Sequence, residues 1–210
     1  MNQLNNNVWT PKTVLAISAH ADDIELGAGG AIHKWTHAGA RVFSFIFSTL
    51  KQRELRLPEI MDASRKLGIR EDDVTILDYP NRVFPKFRQD ILQNMVDLSN
   101  EIKPDIVLVP MTTDRHQDHE VITDEATRAY KKTILLGYES PWNMTQSSLQ
   151  LTVLLSRDDV EAKQKAAISH KTEEYRPYIN KEFIVSLACV RGKTAGGDYG
   201  ESYEVIRWIM

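Results

Sequence analysis

Two groups of histidine and acidic residues follow two apolar segments that lie far apart in the sequence. The first group, His20-Ala21-Asp22-Asp23-Ile24-Glu25, comes shortly after the apolar segment 13–17. Carboxylates this close repel one another unless a positive charge lies among them, and a bound metal ion supplies that charge. Neutral imidazole together with carboxylate is a ligand set that suits zinc. The first group therefore indicates a metal site.

The second group is His116-Gln117-Asp118-His119, after the apolar segment 105–110. In an open α/β sheet, binding sites form beyond the carboxyl ends of strands, where segments distant in sequence can meet. One histidine and one aspartate from the first group, with one histidine from the second, would give three protein ligands and leave one position open. That arrangement is typical of a catalytic zinc rather than a structural one.

The elements around these groups predict a single-domain, Rossmann-like α/β fold. Short apolar strands alternate with helical segments, which favours a mostly parallel, doubly wound sheet with helices on both faces. Strands are predicted at 13–17, 41–49, 74–77, 105–110 and 133–137, and helices at 31–38, 58–67, 87–101 and 121–131. Gly27, Gly29 and Gly30 are expected to form a tight turn before the first helix and to let it pack against the sheet.

The segment after Ser140 has a different pattern. It predicts a strand at 149–155, a helix at 158–170 with Ser156 or Asp158 as its N-cap, and a last strand at 203–209. Residues 183–190 fit a helix or a strand. We expect residues 140–210 to complete one side of the site within one domain spanning residues 1–210, and residues 1–12 to be flexible.

Composition narrows the class of protein. The 210 residues include 26 basic and 29 acidic side chains. The chain has no excess of basic residues, so its charge does not indicate nucleic acid as a partner. No apolar stretch is long enough to span a bilayer, and the polar residues 1–7 do not resemble a secretory signal. The single cysteine, Cys189, excludes a cysteine-based zinc site and fits a reducing compartment. We therefore expect a cytoplasmic protein with a small-molecule substrate.

The two groups together resemble the motifs of the PIG-L/LmbE-type zinc-dependent N-deacetylases. The resemblance extends from Val14 to about Trp208. It implies an enzyme with one Zn²⁺ per chain that removes the acetyl group from an N-acetylated amino sugar, such as an N-acetylglucosamine compound, either free or conjugated. Members of the family are often oligomeric, so a homo-oligomer is compatible with the resemblance.

We expect His20, Asp23 and His119 to bind the zinc, at the positions where the family has its ligands. The family also assigns the general base to the position of Asp22, which would take a proton from the attacking water. The alternative is that the Asp22 carboxylate caps the following helix or holds a backbone amide.

We expect His116 and Asp118 to act beside the metal. His116 as an imidazolium would stabilise the oxyanion of the tetrahedral intermediate. Asp118 would accept the ring N–H of His116 and keep this ring charged. Alternatively, Asp118 orients one of the zinc histidines.

Six further residues are candidates for contact with the substrate. They are Glu25, Arg56, Arg82, Trp142, His170 and Arg191. Arg56 lies where family members often bring an arginine to the sugar, but the loop 48–54 is shorter than is usual in the family. The short loop puts this contact in doubt and predicts a more open pocket. Trp142 is expected either to stack on a sugar ring or to serve as a core or lid aromatic.

Other functions are compatible with parts of the sequence. One is an amidase that uses the same mechanism on a non-sugar N-acyl substrate. Another is a noncatalytic protein that binds a sugar or a nucleotide, although Gly27-Ala28-Gly29-Gly30 does not form the G-x-G-x-x-G motif. His33 and His37 are interpreted as solvated helix positions. Histidine and carboxylate ligands also accept iron, cobalt or manganese, so the sequence leaves the native metal open.

Overall fold

The computed structural model describes residues 9–50 and 52–209, in which strands and helices alternate. The strands are β1 (Thr13–His20), β2 (Arg41–Ser48), β3 (Val74–Ile76), β4 (Ile106–Pro110), β5 (Ile134–Tyr138), β6 (Leu151–Leu155) and β7 (Tyr199–Arg207). The helices are α1 (Asp23–His37), α2 (Arg53–Lys66), α3 (Arg88–Ile102), α4 (Gln117–Ala129), α5 (Arg157–Ala167) and α6 (Lys181–Thr194). Residues 1–12 were expected to be flexible. Residues 1–8 lie outside the described part of the chain. At the other end of the segment, the backbone N–H of Lys12 donates to Asp105 Oδ2 at 2.8 Å.

All seven strands form one sheet in the order β3-β2-β1-β4-β5-β7-β6. Strands β1 to β5 run parallel, and β7 pairs antiparallel with both β5 and β6. The predicted mostly parallel, doubly wound α/β fold is confirmed. The strand order reverses between β1 and β4, and in such sheets ligands bind beyond the carboxyl ends of the strands at that reversal.

Strand β1 shows why this sheet carries helices on both faces. Val14 and Ala16 belong to a core cluster with residues of α1, α2 and α5, whereas Leu15 and Ile17 pack with residues of α3 and α4. Successive side chains of a strand point to opposite faces, so both faces of β1 are buried. A continuous apolar strand is therefore expected here, and the sequence has one.

Helix α1 begins earlier than predicted. It starts at Asp23, directly after a two-residue turn, so Gly27, Gly29 and Gly30 lie inside the helix rather than before it. The predicted close packing is nevertheless present, because a Cβ atom on Gly27 would lie 2.3 Å from Cδ2 of the Tyr138 ring. The glycines thus bring α1 close to β5 while the helix continues through them.

Replacing Gly27 by alanine is expected to destabilise the fold by about 1–3 kcal/mol through overpacking. The Tyr138 ring cannot move away easily, because it is fully buried and its hydroxyl donates to the carbonyl of Ile17. Gly29→Ala is the matched control in the same helix, since the nearest atom to its new Cβ is Cγ of Lys163 at 3.2 Å rather than a ring atom at 2.3 Å. Urea denaturation of both variants tests this, and equal midpoints would contradict it.

Other element boundaries also differ from the prediction. Helix α4 starts at Gln117, four residues before the predicted start, so the second histidine and acidic group forms its first turn. Residues 183–190 are helical, within α6. Ser156 is the N-cap of α5 and forms a capping box with Asp159, as one of the two predicted caps. No helix in the described ranges is both long and apolar enough to cross a bilayer.

Candidate active site

A cavity of about 430 Å³ opens at the carboxyl ends of β1 and β4. The first group contributes His20, Asp22 and Asp23 to its wall, and the second group contributes His116 and His119. The loops after β2 and β3 contribute Leu50, Asn81 and Arg82, and the segment after residue 140 contributes Trp142, Asn143, Glu173, Arg176, Pro177 and Tyr178. The two groups, almost a hundred residues apart, therefore meet in one site.

Three side-chain atoms face one another at the floor of this cavity. His119 Nε2 lies 3.2 Å from His20 Nδ1 and 3.3 Å from Asp23 Oδ2, and His20 Nδ1 lies 3.6 Å from Asp23 Oδ2. Tetrahedral zinc with bonds of about 2.0–2.2 Å places its ligand atoms roughly 3.3–3.6 Å apart. The three atoms thus have the spacing that one divalent ion requires.

Each of the two histidines is oriented by a carboxylate on its other ring nitrogen. His119 Nδ1 lies 2.7 Å from Asp114 Oδ2, and His20 Nε2 lies 3.2 Å from Asp118 Oδ2 and 3.0 Å from Asn81 Oδ1. Such partners fix the tautomer and turn the free lone pair toward a metal. Neither Asp114 nor Asn81 had a predicted role. Asp114 lies two residues before the second group, and this position was the one available signal.

We expect Asp114→Asn to weaken metal binding by about 10–100-fold, because the amide cannot hold the His119 ring as the carboxylate does. Competition with a chelator measures this affinity. Asp124→Asn removes the same charge from an exposed position of α4 and serves as the control. Equal affinities of the two variants would contradict the orienting role of Asp114.

The same contacts control the charge of the metal-free site. Burial alone lowers the pKa of His20, but the hydrogen bonds that its protonated ring donates to the Asp118 and Asp23 carboxylates outweigh burial and raise this pKa to about 9. Burial opposes protonation of His119 as well, and Asp23 and Asp114 together raise its pKa to about 10. When no ion neutralises the surrounding carboxylates, this pair of imidazoles therefore binds a proton more readily than a free histidine does.

Metal binding at pH 7 is accordingly expected to release at least one proton per ion, since a protonated ring must lose its proton before it can act as a ligand. The number should fall as the pH rises above 9, the region in which the metal-free rings lose their protons. Calorimetry in buffers of different ionisation enthalpy counts these protons. Binding without proton release would show that the rings are neutral beforehand.

Asp22 lines the same cavity, and its carboxylate makes no hydrogen bond with a described residue. It is buried at the N-cap position of α1, but its side chain makes no cap hydrogen bond. Burial and the neighbouring Asp23 raise the pKa of Asp22, whereas His170, His20 and Arg56 oppose this rise. The helix-capping alternative is thus not realised, and the Asp22 side chain lines the cavity.

His116 differs from the arrangement predicted for it. Its Nδ1 accepts the backbone N–H of Asp118 at 3.2 Å, so the proton of the neutral ring resides on Nε2. Burial, with the nearby His119 and His20, lowers the pKa of His116 to about 4. One ring nitrogen from each of the three histidines lies within 4.8 Å of those of the other two, so His116 borders the same point of the cavity.

The predicted pairing of the Asp118 carboxylate with His116 is wrong. This carboxylate contacts His20 and accepts the backbone N–H groups of Arg82 at 2.6 Å and Phe84 at 3.2 Å. The reason is that Asp118 lies in the first turn of α4, with its side chain turned toward β1 and the loop after β3. Its geometry matches the alternative prediction, a residue that orients a metal histidine.

Two of the six candidates for substrate contact line the cavity. These are Arg82 and Trp142, whose ring stacks on Tyr178 with centroids 3.9 Å apart. Arg191 lies outside the cavity, in an ion pair with Glu139. Tyr178 was not predicted, because a single aromatic residue in a loop has no periodic signal.

The other three candidates are buried behind the cavity wall. Arg56 is 1% exposed and pairs with Glu173, which does line the cavity. Because α2 already begins at Arg53, Arg56 lies in the first turn of the helix and faces inward. Glu25 and His170 form a buried pair with 3.5 Å between Oε1 and Nε2. None of the three is a lining residue, so a role for them is indirect.

Comparison with known proteins agrees with this geometry. Residues 15–130 match the family model PIG-L, described as GlcNAc-PI de-N-acetylase. The uncharacterized deacetylase YaiS of Escherichia coli K12 is 28% identical over 170 residues, which cover 77% of this chain and 91% of YaiS. The diacetylchitobiose deacetylase of Thermococcus kodakarensis is 23% identical, covering 95% of this chain and 85% of that protein.

The fold is found in solved structures as well. GalB, the 4-carboxy-2-hydroxymuconate hydratase of Pseudomonas putida KT2440, superposes with a TM-score of 0.78 at 20% identity and covers 95% of this chain and 98% of its own. At that identity the similarity shows the fold alone, and GalB has a different activity. The family match carries the assignment because it spans more than half of the chain. This protein therefore belongs to the PIG-L family of N-deacetylases, hydrolases that act on amide bonds.

Proposed function

We propose that this protein is a zinc-dependent N-deacetylase that removes the acetyl group from an N-acetylated amino sugar or sugar conjugate. One observation carries the proposal: His20 Nδ1, Asp23 Oδ2 and His119 Nε2 lie 3.2–3.6 Å from one another, beside an unpaired carboxylate. The named activity of the Thermococcus relative, deacetylation of diacetylchitobiose, supports an acetylated sugar as the substrate.

His20, Asp23 and His119 would hold the ion, with Asp114, Asp118 and Asn81 fixing the two rings. A divalent ion bound there supplies a Lewis acid for the amide carbonyl and lowers the pKa of water. Two imidazoles and one carboxylate form a ligand set that zinc accepts with one position open. Zinc is therefore the ion we propose.

Asp22 is the general base in this proposal. It removes a proton from the water that attacks the amide carbon, and it passes that proton to the amine nitrogen as the C–N bond breaks. The carboxylate suits this role because it lines the cavity and makes no hydrogen bond within the described part of the chain. Burial raises its pKa, which makes it a stronger base than an exposed carboxylate.

His116 supplies the donor for the oxyanion. Its Nδ1 is occupied by the N–H of Asp118, so Nε2 carries the proton and can donate it in a hydrogen bond. A neutral imidazole suffices for this, and such a donor contributes about 2.7–4 kcal/mol to the stability of the transition state. We thus replace the expected imidazolium with a neutral donor of fixed tautomer.

The cavity fits a sugar in size and lining. Its volume of about 430 Å³ lies within the usual range of small-molecule sites, about 300–1,000 Å³. Trp142, stacked on Tyr178, gives one wall an aromatic surface against which a sugar ring can pack. The single Cys189 is a free thiol, which suits a reducing compartment, so we place the reaction in the cytoplasm.

Metal content and amine release, measured on the same preparations, test the proposal. The wild-type protein should hold about one zinc per chain and release amine from N-acetylglucosamine or diacetylchitobiose. His119→Ala should lose both properties. His37→Ala, which removes an exposed histidine of α1, should keep both and is the control.

The other outcomes separate the alternatives. Zinc with amine release from non-sugar N-acyl compounds alone would favour the amidase reading. A protein that holds no metal when it is purified without chelators would overturn the proposal. Zinc retained in His119→Ala would remove this residue from the ligand set.

A further inference from the structure

Two arginines line the cavity, and they differ in their partners. Arg176 Nε donates to Glu173 Oε2 at 2.8 Å, and Glu173 also pairs with Arg56. The Arg82 side chain is exposed, and its guanidinium has no hydrogen bond or ion pair with any described residue. Arg176 thus has a carboxylate partner, whereas the Arg82 guanidinium has none among the described residues.

The backbone of Arg82 is held firmly although its side chain is not. Its N–H donates to Asp118 Oδ2 at 2.6 Å, and its carbonyl accepts a hydrogen bond from the side chain of Gln117. The preceding residue, Asn81, contacts His20 Nε2 at 3.0 Å. The position of Arg82 is therefore fixed relative to the proposed metal ligands, through Asn81 on one side and the first turn of α4 on the other.

Arg82 also has a left-handed backbone, with φ of 63°. Glycine would adopt this conformation without steric cost, whereas a side chain with a Cβ atom is strained there. The Arg82 side chain makes no hydrogen bond or ion pair with a described residue that would offset this strain. Strained residues that the surrounding structure holds in place are common at ligand-binding sites.

We propose that Arg82 binds an oxyanion substituent, a phosphate or a carboxylate, carried by the sugar whose acetyl group is removed. A guanidinium binds such groups with two parallel hydrogen bonds, which gives both affinity and direction. The substituent would lie on the side of the cavity formed by the loop after β3 and the start of α4. This inference rests on the proposed function and names the class of substrate for it.

The experiment compares wild type, Arg82→Gln and Arg157→Gln with four substrates. The substrates are N-acetylglucosamine, its 1-phosphate, its 6-phosphate and N-acetylmuramic acid, so that phosphate and carboxylate are distinguished. Wild type should prefer at least one anionic sugar over N-acetylglucosamine in kcat/KM by roughly tenfold or more. Arg82→Gln should lose most of this preference. Arg157→Gln removes an equal charge from an exposed position of α5, where the Arg157 side chain is 80% accessible. This variant should keep the preference for the anionic sugar.

Two results would overturn the inference: no anionic sugar is preferred by wild type, or the preference survives in Arg82→Gln. Equal loss in Arg157→Gln would assign the effect to net charge rather than to a contact. Calorimetric binding of glucosamine 1-phosphate, glucosamine 6-phosphate and muramic acid, compared with glucosamine, separates this inference from the proposed function. Binding of an anionic sugar that depends on Arg82, without hydrolysis of any substrate, would uphold the contact and reject the deacetylase. Absence of both binding and preference would reject the contact itself.

Discussion

Replacing Asp22 by asparagine is expected to lower kcat by a factor of about 10²–10⁴ while the zinc content stays at the wild-type level. The amide has the shape of the carboxylate but cannot accept a proton from water. The spacing of the three proposed ligand atoms should not change, because Asp22 forms none of the contacts among His20, Asp23 and His119. Amine release under saturating substrate, with metal analysis of the same sample, measures both quantities.

Asp23→Asn is the matched comparison, one residue further along. It should lose zinc together with activity, because Asp23 Oδ2 is one of the three proposed ligand atoms. Loss of zinc in Asp22→Asn would make Asp22 a ligand or a support for one. Turnover close to wild type in Asp22→Asn would remove the base assignment.

The stability of Asp22→Asn adds an independent readout. Burial and Asp23 raise the pKa of Asp22, so its ionised form destabilises the metal-free fold once the pH exceeds that pKa. The wild type therefore loses stability as the pH rises through this pKa, and the variant does not. At neutral pH, metal-free Asp22→Asn should be at least as resistant to urea as metal-free wild type. Lower resistance would show that the carboxylate serves the fold.

The sequence could predict those parts of the site that follow a regular pattern of residue types, such as an apolar strand with polar residues at its end. Strand β1 is apolar because both of its faces are buried, and His20 to Glu25 follow directly where the strand ends. Residues at the carboxyl ends of neighbouring parallel strands must meet, which joined this group to His116, Asp118 and His119. The sequence thus predicted the fold and the convergence of His20, Asp22, Asp23, His116 and His119 on one cavity, but not which of the other candidates line it.

What sequence could not predict depends on the direction of side chains. Asp118 was expected to hold His116, yet the first turn of α4 directs its carboxylate to His20. Asn81 reaches His20 from a loop with no periodic signal, and Arg82 takes a left-handed backbone that its residue type does not indicate. Arg56 is polar, but an ion pair with Glu173 keeps it buried behind the wall.

The largest effect expected outside the metal ligands and the base is that of His116→Ala. We expect kcat to fall by about 10²–10³, since one donor to the oxyanion is removed and each is worth about 2.7–4 kcal/mol. Zinc content should be unchanged, because the proton on Nε2 leaves His116 without a free lone pair toward the ion while Nδ1 accepts from Asp118. Single-turnover amine release on zinc-loaded protein measures the chemical step.

The neutral, fixed tautomer of His116 also predicts how kcat depends on pH. A neutral donor keeps its proton through neutral pH, whereas an imidazolium would lose it as the pH rises, and activity would fall with it. Since burial and the two neighbouring histidines hold the pKa of His116 near 4, the pH profile of kcat between 6 and 9 should show no loss on the alkaline side from this group.

His116→Gln distinguishes the donor from a purely structural residue, because its amide N–H₂ can still donate to the oxyanion while His116→Ala cannot. Recovery of part of the rate in His116→Gln, with equal zinc in both variants, is the expected result. Loss of zinc in both variants would instead make His116 a fourth ligand, which the proximity of its ring nitrogens to those of His20 and His119 also permits. The site would then lack the open position on which hydrolysis depends.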